Sequence, residues 1–172
     1  MLDKLVDAII EFLDLFRFWE VVRQYEVGVR LRLGKYWDTL EPGRLYFRAP
    51  FGIDEIMTDY ATPTARQLEQ QVITLRDGVT IVVTPIITYQ PHDPYKYFLE
   101  VETPESAIGD CARGTIREIL SAMTYDEAQS PAVTETVTAA VRKMGYKWGI
   151  KVITVAMADL AKVRAYRIYG GQ

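Results

Sequence analysis

Few side chains in this sequence are placed to carry out catalysis or to bind a metal ion. His92 is the only histidine of the 172 residues, and it lies in the turn sequence Gln-Pro-His-Asp-Pro. A histidine can act as an acid, a base or a pH sensor because its pKa lies near neutrality. No partner group accompanies it at a spacing typical of a catalytic site, so we expect a solvated turn residue.

Cys111 is the only cysteine, which excludes an internal disulfide bond and a cysteine-based zinc site. A single thiol fits a reducing compartment. Cys111 lies between Ile108 and Ala112 in a stretch whose apolar residues recur at helical spacing. Acylation or oxidation of the thiol is one interpretation, and a small, buried apolar residue is the one we expect.

Three acidic residues, Asp54, Glu55 and Asp59, are close enough in the sequence to suggest metal binding or acid–base catalysis. On a β-strand, however, Asp54 and Glu55 point to opposite faces, so their carboxylates do not converge. We expect a solvated face here and turn chemistry at Asp77, which precedes Gly78. The sequence has no glycine-rich phosphate loop, nucleophile elbow or metal-ligand spacing. It therefore predicts no enzyme active site, no cofactor and no metal ion.

The composition is that of a globular protein of one ordinary domain, with 49% hydrophobic and 25% charged residues. The charge is unevenly placed. Residues 1–20 hold five acidic and two basic residues, for a net charge of −3, and residues 21–172 hold 18 of each. Because the body of the chain has no basic excess, we do not expect it to bind nucleic acid.

Residues 1–22 have the pattern of an amphipathic helix with a wide apolar face and a narrow acidic stripe. Asp7, Glu11 and Asp14 would each cost a few kcal/mol near the centre of a bilayer, so a spanning helix is not expected. The apolar side chains predicted to contact membrane or protein are Leu5, Ile9, Phe12, Leu13, Phe16, Phe18 and Trp19.

The sequence leaves two functions open for this helix. In the first, it lies in the membrane interface with its aromatic side chains at the depth of the acyl chains. In the second, it packs against neighbouring protomers or a partner protein. The acidic stripe favours the second interpretation, because anionic lipids attract Lys and Arg and would repel this stripe.

Strict alternation predicts a half-buried strand at the start of residues 24–51. Gly34 ends this strand, and Pro42 and Gly43 form a tight turn before a second short strand at residues 45–48. The apolar residues that share one face of the first strand are Val27, Val29, Leu31 and Leu33.

The rest of the chain predicts further strands and then helices. Pro85 cannot donate a ladder hydrogen bond, so its strand should lie at a sheet edge or carry a bulge. Asp93 is expected to cap a helix, and Thr124 and Glu127 have capping-box spacing. This order predicts an α+β fold with a twisted, mostly antiparallel sheet. Strands are expected at residues 53–62, 66–75, 79–89 and 148–159, and helices from Pro94, from Pro104, at 131–144 and at 160–169.

A series of motifs between residues 26 and 54 resembles the opening of the SPFH (band 7) domain, the family of stomatins, prohibitins and flotillins. The motifs are Glu-x-Gly-Val, Leu-Gly-Lys, Leu-x-Pro-Gly, Phe-x-x-Pro-Phe and Ile-Asp, in that order. The resemblance covers about residues 22–168. It implies an N-terminal helix at 1–22, a β-rich first SPFH subdomain at 23–92, and a second subdomain of helices and strand at 93–172. The segment Thr74–Val79 departs from the family pattern by one extra residue.

The resemblance also implies a function. It indicates a non-enzymatic scaffold that forms homo-oligomers and is peripherally membrane-associated through residues 1–22, on the cytoplasmic side. Such a scaffold organises a membrane microdomain or confines a client such as a protease or channel. Its edge near Trp37 and Phe51 would make a second contact with lipid. The family's long C-terminal coiled coil has no counterpart in this sequence, so we expect assembly through domain faces and the N-terminal helix. The alternative is a structural subunit of a soluble or viral assembly, with the helix packed between protomers.

Overall fold

The computed structural model describes residues 18–163, which form nine strands and four helices. The strands are β1 Trp19–Val22, β2 Glu26–Arg32, β3 Lys35–Leu40, β4 Arg44–Phe47, β5 Asp54–Tyr60, β6 Thr64–Gln67, β7 Gln71–Thr74, β8 Thr80–Pro91 and β9 Ile150–Lys162. The helices are α1 Pro94–Leu99, α2 Pro104–Ser121, α3 Tyr125–Ala128 and α4 Pro131–Lys147. The fold is therefore mixed helix and strand, as the sequence predicts.

The first part of the chain is a β-rich half made of two small antiparallel sheets. β2 is the central strand of one sheet and pairs with β3 and β5, while β1 pairs with β4 in the other. Val22, Val29 and Leu40 are fully buried and form its interior. On the predicted apolar face of β2, Val29 is buried and Val27 and Leu31 are half-buried. Leu33 was expected on the same face, but it lies in the following turn and is exposed.

The second half is built on a larger antiparallel sheet. β8 is its central strand, with β6 and β7 end to end along one side and β9 along the other. Pro85 lies within β8 where the register with β9 shifts, so the bulge interpretation is confirmed and the edge interpretation is wrong. The missing N–H of Pro85 is accommodated because the ladder is already irregular there.

Helices α2 and α4 cover one face of this sheet and close the main core. The buried side chains of α2 recur every four residues, which places them on one face of the helix. They are Ile108, Ala112, Ile116 and Leu120. From α4 the core receives Val133, Val137 and Val141, and from the sheet Ile81, Val83, Ile87, Val152 and Val155.

The predicted helix starts are confirmed. Asp93 accepts a hydrogen bond from the backbone N–H of Lys96, and Pro94 occupies the first helical position of α1. Thr124 and Glu127 form the capping box of α3. Such caps bond donors that the first helical turn leaves unpaired.

Gly149 joins the end of α4 to the start of α1 through a close backbone approach. Its carbonyl accepts hydrogen bonds from the backbone N–H groups of His92 and Asp93, at 2.7 and 3.1 Å. Its φ is +72°, and a Cβ at this position would lie 2.4 Å from the Asp93 carbonyl oxygen. Only glycine fits this junction.

Several expectations differ from the structure. Trp19–Val22 form strand β1, whereas the sequence predicted the end of a helix, and residues 1–17 lie outside the described part of the chain. The predicted strand at 66–75 is two strands, divided where Leu68 turns into the core. β9 continues to Lys162, where the start of a helix was expected. β8 and β9 pair across the predicted boundary at residue 92, so the larger sheet contains strands from both predicted subdomains.

Candidate functional site

Within residues 18–163, the side chains that the sequence suggested for catalysis or metal binding do not converge on one site. His92 is exposed in its turn and packs edge-on against Tyr146, with 5.5 Å between the ring centroids. Cys111 is only partly buried in α2, and burial raises the pKa of its thiol above the ordinary value. A raised pKa leaves less thiolate near neutrality, and thiolate is the reactive form. Among residues 18–163, no group of three His, Cys, Asp or Glu side chains is placed to hold a metal ion.

Asp54 is fully buried, so the expectation of a solvated face is wrong at this position. Its two carboxylate oxygens accept hydrogen bonds from Nε and Nη2 of Arg32, at 2.7 and 3.0 Å. The Arg32 bonds and a further bond from the backbone N–H of Ala49 lower the pKa of Asp54 to about 2. Glu55, by contrast, is exposed, which confirms that the neighbouring carboxylates diverge. Asp54 therefore has a structural role, as the anchor of the loop before β5.

Asp77 has the turn role that the sequence predicts, and it also caps a helix. One oxygen accepts from the backbone N–H of Val79, within the turn, and the other accepts from that of Tyr125, at the start of α3. These bonds lower the pKa of Asp77 below its ordinary value. The second contact spans 48 residues, so no local pattern could indicate it.

The most unusual surface of the described chain is apolar, and it lies on the β-rich half. In the β1–β4 pair, Trp19 lies opposite Phe47 and Val21 lies opposite Leu45. Directly opposed residues share a face of the sheet, so these four side chains form one patch, which we call the apolar ribbon face. Each of the four is between 54% and 61% exposed. Soluble monomers rarely leave such contiguous apolar groups in water, and such patches mark sites of interaction.

Two turns of the same half also present apolar side chains to solvent. Leu33–Gly34 joins β2 to β3, and Phe51–Gly52 precedes β5. All four residues have positive φ, as a type I′ turn requires. Leu33 is 76% exposed and Phe51 is 64% exposed. A bond of 2.7 Å from the backbone N–H of Leu33 to the carbonyl of Ile53 holds the two turns side by side, and we call them the turn pair.

The turn pair departs from ordinary turn chemistry. Left-handed backbone costs a residue with a side chain roughly 1–2 kcal/mol, and Gly, Asn or Asp normally takes these positions. Here two such positions are occupied by Leu and Phe, whose side chains are mostly exposed. Trp37 lies close by, with the guanidinium of Arg32 4.2 Å from its ring centroid. Residues 30–54, which include the Arg32–Asp54 pair, hold five basic and three acidic residues, for a net charge of +2.

Four of the nine residues predicted to contact membrane or protein lie within residues 18–163. Trp19, Trp37 and Phe51 are exposed, and Phe18 is half-buried and stacked on Phe47 at 6.1 Å. Sequence reasoning missed Val21, Leu33 and Leu45. The Leu-Gly and Phe-Gly pairs at hairpin spacing were the available signal for the turns. The other five predicted residues, Leu5, Ile9, Phe12, Leu13 and Phe16, lie outside the described residues.

None of the helices within residues 18–163 has the length and apolar character needed to cross a bilayer. The sequence profile of the SPFH domain / Band 7 family matches residues 20–164, which is most of the chain.

The chain belongs to the SPFH family.

Its relatives include both archaeal and eukaryotic proteins. An uncharacterized protein of Archaeoglobus fulgidus is 30% identical over 154 residues, covering 88% of this chain and 61% of its own length. Stomatin-like protein stl-1 of Caenorhabditis elegans is 28% identical, covering 81% of this chain and 43% of its own length. The human mitochondrial stomatin-like protein 2 is likewise 28% identical, covering 81% of this chain and 39% of its own length. The chain thus spans less than two thirds of these relatives.

The SPFH motifs that suggested the family have clear structural roles in this domain. The Leu-Gly-Lys motif makes the first turn of the turn pair, and the Phe-x-x-Pro-Phe motif runs from the apolar ribbon face to the second turn. The Asp of the Ile-Asp motif is the buried Asp54. The motifs of the first half therefore build its exposed apolar edge and the anchor beneath it.

Proposed function

We propose that this SPFH chain is a non-enzymatic scaffold that attaches peripherally to a membrane through the β-rich half. Proteins of this family are generally membrane-associated scaffolds. The observation that carries the proposal is the set of exposed apolar side chains on this half, in the apolar ribbon face and the turn pair. We call these two surfaces together the exposed apolar edge. Indole and phenyl rings at such an edge partition into the interface between water and acyl chains.

The charges around this edge support the same function. The net charge of +2 over residues 30–54 would attract anionic headgroups, at about 1 kcal/mol for each basic residue near the surface. The net charge of −3 over residues 1–20 opposes this attraction. The turn pair and apolar ribbon face therefore provide the contact that discriminates between lipids, and residues 1–17 add apolar area.

The scaffold acts by lateral association of copies, and many weak membrane contacts add up by avidity. In this role it organises a membrane microdomain or confines a client protein such as a protease or channel. The described residues lack a reactive constellation, so the proposed role is positioning rather than turnover. The alternative is a structural subunit in which the same apolar edge packs between protomers and never contacts lipid.

Flotation with vesicles tests the proposal. The full-length protein should float with vesicles of phosphatidylcholine plus phosphatidylglycerol, and less with phosphatidylcholine alone. Leu45→Asp places a charge in the apolar ribbon face and should abolish most of the flotation. Val72→Asp is the matched control, because Val72 is 58% exposed but lies on β7 in the other half. This control should float like the unchanged protein.

A chain that begins at Phe18 keeps β1, and its flotation measures the contribution of residues 1–17 alone.

The results distinguish membrane attachment from packing between protomers. If the full-length protein stays with the soluble fraction as a large assembly, and Leu45→Asp dissociates that assembly, the edge is a protein contact. The membrane proposal is then wrong. Equal flotation of Leu45→Asp and Val72→Asp would also refute it.

A further inference from the structure

The outer edge of β9 is only partly closed. β9 pairs with β8 along one side, and no other strand among residues 18–163 pairs with it. The backbone N–H of Val163 donates to the carbonyl of Thr80, so Val163 faces β8. Backbone groups alternate in direction along a strand, and the N–H and C=O of Lys162 and Leu160 therefore face outward.

Helix α4 closes the other end of the same edge. The hydroxyl of Thr138 accepts from the backbone N–H of Val155 at 3.0 Å. The guanidinium of Arg142 donates to the carbonyls of Val152 and Ile153, both at 3.0 Å. Up to residue 155, these side chains make the hydrogen bonds to the outer backbone groups of β9 that a neighbouring strand would otherwise make. From Met157 to Lys162 the described chain supplies no such replacement, which leaves an open stretch about 20 Å long.

A groove runs beside this open stretch, on the helix-covered face of the sheet. It has a volume of about 480 Å³ and lies between the outer part of β9 and the α3–α4 junction. Its lining residues are Ala128, Gln129, Ser130, Pro131, Thr134, Met157 and Leu160. Leu160 lies opposite the buried Val83, so its side chain is on the groove face. A strand that bonded to Leu160 and Lys162 would place its own alternate side chains into this groove.

We propose that the strand-edge groove, defined by Met157–Lys162 and the α3–α4 junction, binds an extended segment of a partner protein. The segment adds to β9 as an antiparallel strand. Its residues opposite Leu160 and Lys162 are apolar and fill the groove, and the residues between them face solvent. In this mode the main-chain bonds supply affinity, and the alternate side chains supply specificity.

The geometry favours a single extended segment over a second copy of the chain. Thr138 and Arg142 reach the outward groups of β9, so α4 projects beyond the strand edge. A second copy would bring its own α3–α4 junction over the same seam. One helical turn, about 10 Å across and 5 Å high, would already occupy most of the groove. An extended segment brings only side chains into that space.

The probe is a synthetic peptide, acetyl-Lys-Thr-Val-Thr-Val-Thr-Val-Lys-amide, titrated into the full-length protein and followed by the backbone amide signals. We expect saturable shifts at Leu160 and Lys162, with slower hydrogen exchange at both. N-methylation of the valine amides should abolish binding, because those amides face β9. N-methylation of the threonine amides should leave binding unchanged.

The protein variants are matched in the same way. Lys162→Pro removes one outward N–H and no bond to β8, and proline is tolerated where a strand N–H faces outward. Lys162→Thr is the control, since both variants lose the contact of the Lys162 ammonium with the Tyr125 ring. We expect Lys162→Pro to weaken binding about tenfold and Lys162→Thr to weaken it less than about twofold.

Three results would overturn the inference. They are equal binding to Lys162→Pro and Lys162→Thr, binding of the valine-methylated peptide, and no saturable binding to the unchanged protein. If Lys162→Pro instead abolishes a concentration-dependent dimer, the edge binds a second copy of the chain, and the proposed binding of a partner segment is wrong. Lys162→Pro should float with vesicles like the unchanged protein. The inference and the membrane proposal therefore fail independently.

Discussion

At the scale of single residues, the most informative feature is the backbone of Leu33. Its φ of +52° is a conformation in which a leucine side chain crowds the following carbonyl. Asparagine adopts the same conformation more easily, and the turn would form with less strain. The strain at this exposed leucine is offset only when its side chain contacts a partner outside the described part of the chain. In the proposed function that contact is the membrane.

Leu33→Asn should therefore raise stability and lower membrane binding at once. Relief of the left-handed leucine should add about 1 kcal/mol to the free energy of unfolding, measured with urea. Flotation with anionic vesicles should fall, because the turn loses its apolar tip. Leu45→Asn is the control, since Leu45 lies in a strand and should lose flotation with no gain in stability. Unchanged flotation of Leu33→Asn would remove the turn pair from the membrane contact.

At the scale of elements, Asp54 shows why the positions of the strands could be predicted from the sequence, while the contacts between residues of different strands could not. Periodicity and turn residues are local signals, and they predicted β2, β5, β8 and the starts of α1, α2 and α3. The burial of Asp54 depends on Arg32, which lies directly opposite it in the β2–β5 register. That pairing joins residues 22 positions apart, and no spacing in the sequence encodes it.

The same reasoning explains the elements that were predicted incorrectly. Residues 66–75 read as one strand, but Leu68 is buried and interrupts the pairing with β8. The end of β9 resembled a helix start, but pairing of Asp159 and Ala161 with β8 keeps it extended. In each case tertiary contact overrode a weak local preference. The apolar ribbon face was missed for a related reason, since pairing of β1 with β4 creates it.

Asp54→Asn tests the anchor between β2 and β5. Removing one partner of a buried, doubly hydrogen-bonded ion pair should cost about 3 kcal/mol of unfolding free energy at neutral pH. Because the folded pKa is lowered to about 2, the contribution of the carboxylate is present above about pH 4. It is lost as the pH falls through about 2. The difference between the unchanged protein and Asp54→Asn should therefore shrink on acidification.

Urea unfolding at pH 7 and at pH 3 measures this difference. Glu55→Gln is the matched control, because Glu55 is the exposed neighbour on the opposite face of β5. Its effect should stay within about 0.5 kcal/mol at both pH values. If Asp54→Asn and Glu55→Gln behave alike, the Arg32 pair does not anchor the loop.

At the scale of the whole molecule, the proposed function requires the β-rich half to be held in a fixed orientation relative to the half that carries the strand-edge groove. Within residues 18–163, the side-chain contacts that join the halves include two made by tyrosines. The hydroxyl of Tyr97 donates to Oδ2 of Asp59 at 2.6 Å, and Tyr36 packs edge-on against Tyr95 at 4.8 Å. Tyr97 is almost fully buried, and burial together with the Asp59 carboxylate raises its pKa. The hydroxyl therefore remains a donor at all physiological pH values.

Tyr97→Phe should loosen this junction while leaving each half folded. The ring keeps its packing, but the Asp59 carboxylate loses its donor, which should cost about 1–2 kcal/mol. Amide exchange at the end of β5 and in α1 should accelerate more than exchange in the core strands β8 and β9. Tyr95→Phe removes a hydroxyl from the exposed partner and serves as the control. If both variants show the same exchange pattern, the Tyr97–Asp59 bond does not couple the halves. The membrane-facing edge and the strand-edge groove would then move independently, and a scaffold that holds a client at a fixed orientation would need another connection between them.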